Sequence, residues 1–303
     1  MSTTDLVAHV ASLVVGRERE CELVVAALMA DRHVLLEGPP GTGKSTLLRS
    51  VAGALGVGFV FVEGNAELTP SRLLGTFDPS RVLEDGYVPD VFVDGPLVQA
   101  MRTGSLLYVE EINRVPEETL NVLITVMSEG EVAVPRLGTV QAAKGFGLVA
   151  AMNPFDAVGT ARISGAVYDR VCRVAMSYQS ADDESAIVMR AIEKIVDAPP
   201  REWVAKAVAA VRATRHHADL RIGSSVRGAI DASLVATSLA KVRATSISDP
   251  RVGLDAALVA LSGRVRVREG SSRTSDEVIE EIWTSTFAEG DAKKATAPAG
   301  AKV

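Results

Sequence analysis

"HVLLEGPPGTGKSTLLRSVAGAL", His33 to Leu55, is the stretch whose reading decides the fold. A short apolar run ends at Gly38, a glycine-rich turn follows, and a helix is expected from Ser45 to about Leu55. The turn, "GPPGTGKS", satisfies GxxxxGK[ST] and sits where that motif must sit, between a strand and a helix. Gly38, Gly41 and Gly43 let the backbone wrap with its N–H groups inward, at the positive end of the helix dipole. Lys44 adds a point charge for β- and γ-phosphates, and Ser45 offers a hydroxyl to Mg²⁺, a cation that prefers oxygen ligands. Gly38, Pro39, Pro40, Gly41, Thr42, Gly43, Lys44, Ser45 and Thr46 are therefore the expected nucleotide contacts. The NKxD string that reads guanine does not occur, which favours ATP.

Outward from this loop, "GFVFVEG" (58–64), "SLLYVEE" (105–111) and "GFGLVAAMN" (145–153) read as three further strands. Helical segments separate them, so the expected class is α/β: a P-loop NTPase parallel sheet sandwiched by helices. Residues 1–31 carry helical spacing broken at Gly16. Past about Ser180 the pattern turns Ala-rich and helical over 182–197, 202–217, 224–243, 250–263 and 274–288. This predicts a nucleotide-binding core over 1–180, a smaller all-helical lid domain over 181–289, and a disordered tail over 290–303. Segments 84–96 and 129–145 are candidate projecting hairpins, with plain surface loops as the alternative, the second turning at "PRLG".

Composition narrows the function. A net charge of -6 argues against a chain whose main task is covering a phosphate backbone, and 4% aromatic residues leave little stacking surface for single strands. The 47% of hydrophobic residues must build a core mostly from Ala, Val and Leu. Two distant cysteines, Cys21 and Cys172, fit free thiols in a reducing compartment. No run is long enough to span a membrane, and the N-terminus lacks a basic leader, so a cytoplasmic protein is expected.

"LLYVEEINR", Leu106 to Arg114, carries the second half of the site. Strands of this class usually end in Asp then Glu; here both acids are Glu. Neighbouring strand side chains point to opposite faces, so the two cannot share a task. Glu110 is expected to face the metal, and Glu111 to polarise the attacking water as general base.

The chain resembles an AAA+ ATPase of the MoxR family, most closely the subgroup that works beside proteins carrying a von Willebrand factor A (VWA) domain. The resemblance is carried by "VVGRE", "GPPGTGKS", "VEGNAELTPSRLLGTFDP", "EEINRVPEETLN" followed by "EGEV", "AAMNPFDAVGTARISGAVYDRVCR" and "RIGSSVRGAI", spanning roughly residues 14–232. It implies that Asn153 is sensor 1, positioning the attacking water or γ-phosphate, and that Arg170 is an arginine finger acting on a neighbouring subunit's ATP, with Arg162 and Arg173 as rivals. It also implies Arg227 as sensor 2 with Arg221 the weaker candidate, and Asn65 as a switch holding Glu111 back. By the same resemblance, segments 84–96 and 129–145 face a pore or substrate, the assembly is a homo-oligomer, a hexameric ring, and a VWA-domain adaptor and a protein target are partners. Two other readings stay open: a nucleotide-gated assembly module with little turnover, supported by the unusual Glu110, and a DNA-associated motor, opposed by the acidic balance.

Overall fold

The computed structural model describes residues 3–154, 163–193, 195 and 197–295. The chain divides into two compact units, Met1–Ser177 and Tyr178–Val303.

The first unit opens with α1 (Thr3–Leu13) and α2 (Glu18–Met29), then β1 (His33–Glu37) and α3 (Lys44–Leu55). Next come β2 (Phe59–Glu63), α4 (Pro70–Leu74), β3 (Gly75–Phe77), α5 (Pro79–Asp85), β4 (Phe92–Asp94) and α6 (Pro96–Thr103). β5 (Leu106–Glu110), α7 (Glu117–Glu129), β6 (Glu131–Val134), β7 (Gly138–Gln141), β8 (Gly147–Met152), α8 (Gly165–Tyr168) and β9 (Val171–Ala175) complete it. The main sheet runs β2-β5-β8-β1-β9, every pairing parallel.

The central strands are near-continuous apolar runs because both of their faces are covered. Alternation sorts their side chains into two cores. Val34, Leu36, Tyr108, Val149 and Ala151 pack with Leu47, Leu48 and Val51 of α3 and with the α1–α2 pair. Leu35, Leu107, Val109, Leu148 and Ala150 pack on the opposite face against α4, α6 and α7.

Sequence reading found four strands and the sheet has five. β9 was missed because Arg173 interrupts its short apolar run, and the strand lies at an edge with Cys172, Arg173 and Ala175 exposed. The expected hairpin over 84–96 is also corrected. Asp78 caps α5 by accepting from the N–H groups of Ser80 and Arg81, Pro79 starts the helix, and β4 pairs antiparallel with β3, outside the segment. The Asp85-Gly86 turn signal marks a helix end, with Gly86 at φ 75°. The hairpin over 129–145 is present as β6 and β7, with Val134 opposite Gly138. Segments 84–96 and 129–145 meet: the Arg136 guanidinium lies 3.7 Å from the Tyr87 ring centre, and Tyr87 packs on Phe77.

The second unit contains α9 (Ala181–Ile192), α10 (Arg201–Thr214), α11 (Val226–Val242), α12 (Pro250–Leu261) and α13 (Ser275–Ala295). Two short strands, β10 (Leu220–Ile222) and β11 (Arg266–Val267), pair antiparallel between them. Ala229, Ala232 and Ala236 of α11 join Ala256, Ala257 and Ala260 of α12 in one core, where small side chains permit close helix approach. Trp203 and Trp283 join this core with Phe287 packed against it, the last two rings stacked at 4.5 Å. Among the described residues no helix is long and apolar enough to cross a membrane.

Candidate nucleotide site

The loop after β1 is shaped by its neighbours. The Gly38 N–H donates to the Met152 carbonyl at 3.1 Å, and a Cβ on Gly38 would lie 2.2 Å from the Met176 carbonyl oxygen, so no side chain fits there. Gly43 caps α3 at φ 84°, a conformation that costs other residues energy, and it turns the first N–H groups of the helix into the loop. Lys44 is buried, its Nζ donating to the carbonyls of Gly38 (2.8 Å) and Pro39 (2.9 Å). Thr42 Oγ1 also donates to Pro39 at 3.0 Å, while Pro40 and Thr46 are exposed at the rim.

Arg17, 2% exposed, supports the loop from behind. Its Nε donates to the Thr42 carbonyl at 3.1 Å, Nη1 pairs with Glu20 at 2.8 Å, and Nη2 donates to the Ser177 carbonyl at 2.5 Å. In the sequence Arg17 stands out only as part of "VVGRE". An arginine beside glycine gives no sign that it will be buried.

β5 delivers the acids. Ser45 Oγ donates to Glu110 Oε2 at 2.8 Å, across 65 positions of sequence, and lies 3.2 Å from the Tyr108 hydroxyl. Tyr108 is wholly buried, and burial pushes its phenol well above the usual tyrosine range. Glu111 is not the last strand residue that the sequence suggested. The strand stops at Glu110, and Glu111 takes φ 51°, turning the chain into a short 3₁₀ turn at Ile112–Arg114. The acids diverge through this turn instead of through strand alternation. Glu111 Oε2 pairs with Arg114 Nε at 3.0 Å, both side chains 38% exposed.

Asn153 follows β8, the strand beside β5, and its carbonyl accepts from Asn113 Nδ2 at 3.5 Å. Lys44, Ser45, Glu110, Glu111 and Asn153 thus gather at the carboxyl end of the sheet, next to the point where strand order reverses around β1. Asn65 does not reach Glu111 through its amide: it donates to the Glu63 carbonyl (3.2 Å) and accepts from the Glu67 N–H (2.9 Å).

Arg170 lies at the opposite, amino end of the sheet, just before β9, where Val171 is level with His33. Its Nε donates to Ser128 Oγ at 2.5 Å and Nη1 to the Ala166 carbonyl at 2.9 Å. Arg173 is held by Glu37 of the same chain at 2.5 and 3.1 Å, which raises its already high pKa. Arg162 lies outside the described residues. Arg227 is the second residue of α11 and Arg221 is in β10; both are exposed on the second unit.

The chain is similar to known proteins. Residues 33–171 match the model of the AAA domain, dynein-related subfamily. The uncharacterized protein YeaC of Bacillus subtilis is 29% identical over 248 residues, 74% of each chain. The uncharacterized protein SH1500 of Staphylococcus haemolyticus is 34% identical over 154 residues, and the match spans 50% of this chain and 58% of that one. Among solved structures, a candidate ATPase from Cytophaga hutchinsonii aligns with a TM-score of 0.52 at 20% identity, over 93% of both chains. A RuvB variant from Thermotoga maritima aligns with a TM-score of 0.55 at 18% identity, over 81% of this chain and 70% of that one. At such identities the structural likeness speaks for the fold. Residues 33–171 are thus similar to an AAA domain of the dynein-related type, and the five-stranded parallel sheet with its helices has the fold of the AAA+ P-loop NTPases.

Proposed function

We propose that this chain is a ring-forming, magnesium-dependent ATPase of the MoxR type that remodels or activates a protein target in the cytoplasm, together with a VWA-domain adaptor. The observation that carries the enzymatic part is the 2.8 Å bond between Ser45 of the phosphate loop and Glu110 of β5. It creates an all-oxygen pair beside a cradle of backbone N–H groups. That pair fits Mg²⁺, which takes few protein ligands directly and completes its shell with water and phosphate oxygens. Ser45 and Glu110 are the residues that would hold the ion, which when bound neutralises phosphate charge.

The remaining roles follow from position. Lys44 is within the loop to meet phosphate oxygens once they displace its two carbonyl partners. Glu111 serves as the base for water, and Asn153, which can donate and accept at once, orients that water. Arg170, remote from its own phosphate loop along the sheet, suits action on the next subunit. This supports a ring, and a hexamer is the form proposed. Arg227 is proposed to contact the nucleotide of its own subunit. Adaptor and target rest on the motif resemblance alone.

A second reading, a nucleotide-gated switch with little turnover, has its own observation: the proposed base is engaged by Arg114. One assay separates them. The ATPase reading expects steady magnesium-dependent phosphate release from the purified chain, rising a few-fold in Arg114→Ala with the melting temperature little changed, because exposed pairs contribute about 0–1 kcal/mol. No release from either protein would favour the switch.

A further inference from the structure

The tyrosine under the site has no part in the reading above. Tyr108 and Glu110 are two residues apart on β5 and so project from the same face, the one that packs on α3. The Tyr108 ring is wholly buried and is flanked by Phe59 and Phe61, each 5.7 Å away between ring centres. Its hydroxyl is therefore set on a rigid arm, 3.2 Å from Ser45 Oγ and also facing the Glu110 carboxylate.

Hydrogen counting shows how these bonds can be arranged. A serine hydroxyl has one proton and two lone pairs. When Ser45 gives its proton to Glu110, the Tyr108 hydroxyl, which also faces that carboxylate, can donate to Ser45. One lone pair of Ser45 is then used by Tyr108, and one remains for a cation. The longer Glu110 side chain has one more rotatable bond than aspartate, and a fixed partner beneath Ser45 limits where that carboxylate can settle.

We propose that Tyr108 is a positioning residue: its hydroxyl orients Ser45 and, through it, Glu110, so that both oxygens are preset for the nucleotide-bound divalent cation. This rests on the assignment of Ser45 and Glu110 as the magnesium-holding pair. The side chain acts through its neighbours and does not itself touch the metal.

Tyr108→Phe in the full chain removes the hydroxyl and keeps the ring, so the packing against Phe59 and Phe61 survives. Mn²⁺ affinity is measured by electron paramagnetic resonance on protein saturated with a non-hydrolysable ATP analogue, and ADP affinity is measured separately in chelator. Loss of one neutral hydrogen bond predicts a Mn²⁺ dissociation constant about five-fold higher. Metal-free ADP affinity should change less than about two-fold, and the Mn²⁺ effect should vanish on a Ser45→Ala background. Unchanged Mn²⁺ affinity overturns the proposal. So does an equal loss of Mn²⁺ and ADP affinity, which is the mark of general damage to the loop, and so does a full effect persisting without Ser45. A parent chain that binds no metal–nucleotide complex at all would overturn the ATPase reading as well, so the two failures are distinguishable.

Discussion

Glu110 extends about one carbon–carbon bond, near 1.5 Å, beyond an aspartate at the same position. The structure uses that length to reach the Ser45 hydroxyl at 2.8 Å. In Glu110→Asp the contact opens by about that distance and a water can fill it, so turnover should stay within about ten-fold of the parent. Glu110→Ala removes the carboxylate and should lose about a hundred-fold or more. Phosphate release against magnesium concentration checks both, and near-normal hydrolysis by the alanine variant would show that the metal does not depend on this arm. At this scale the sequence was informative where a motif fixes spacing, as from Gly38 to Ser45. It was silent where a partner is supplied across the fold. Tyr108 read as one more apolar strand residue, although its place two before Glu110 was a usable signal. The Arg114 contact depends on the left-handed turn at Glu111, which no residue preference announces, since positive φ is unusual for glutamate.

At the scale of elements, four strands of the main sheet were legible, the edge strand β2 among them, and the other edge strand, β9, was not. β1, β5 and β8 carry apolar runs because helices cover both faces, whereas β9 exposes Cys172 and Arg173, and Arg173 interrupts its run. The 84–96 segment was misread for a related reason: Asp-Gly closes a helix as readily as it turns a hairpin. His33, at the start of β1, shows how an element end can carry pH dependence. Its Nδ1 accepts from the Leu148 N–H at 3.1 Å, and burial lowers its pKa below the usual value near 6.5. The unfolded chain therefore takes up this proton first as pH falls. The contribution of neutral His33 is complete above about pH 6.5 and is lost as pH drops through that value toward the lower folded pKa. Denaturant midpoints measured from pH 7.5 to pH 5 should fall more steeply for the parent than for His33→Gln. Equal slopes would show that His33 is not the group responsible.

For the whole molecule, the separation of Arg170 from the phosphate loop along the sheet makes a prediction about copies of the chain. If Arg170 serves a neighbour, Arg170→Ala should lower hydrolysis by about 10³-fold, the lower end for arginine fingers. Mixing it with Lys44→Ala, equally inactive alone, should restore measurable turnover at interfaces that combine an intact loop with an intact arginine. No restoration at any ratio would place the finger elsewhere. The change to Ala-rich periodicity near Ser180 sets the expected division into an α/β unit and a helical unit, and the two compact units meet in sequence at Ser177/Tyr178. The far end was less readable: α13 continues to Ala295 through a stretch rich in Ala and Lys, and residues 296–303 lie outside the described residues. The measurement that bears most directly on the account is steady-state phosphate release by Glu111→Gln beside the parent, with ATP binding followed in parallel. The account predicts that ATP binding is retained and turnover falls by at least about a hundred-fold, as loss of a general base requires. A Glu111→Gln protein that hydrolyses ATP at the parental rate would contradict it.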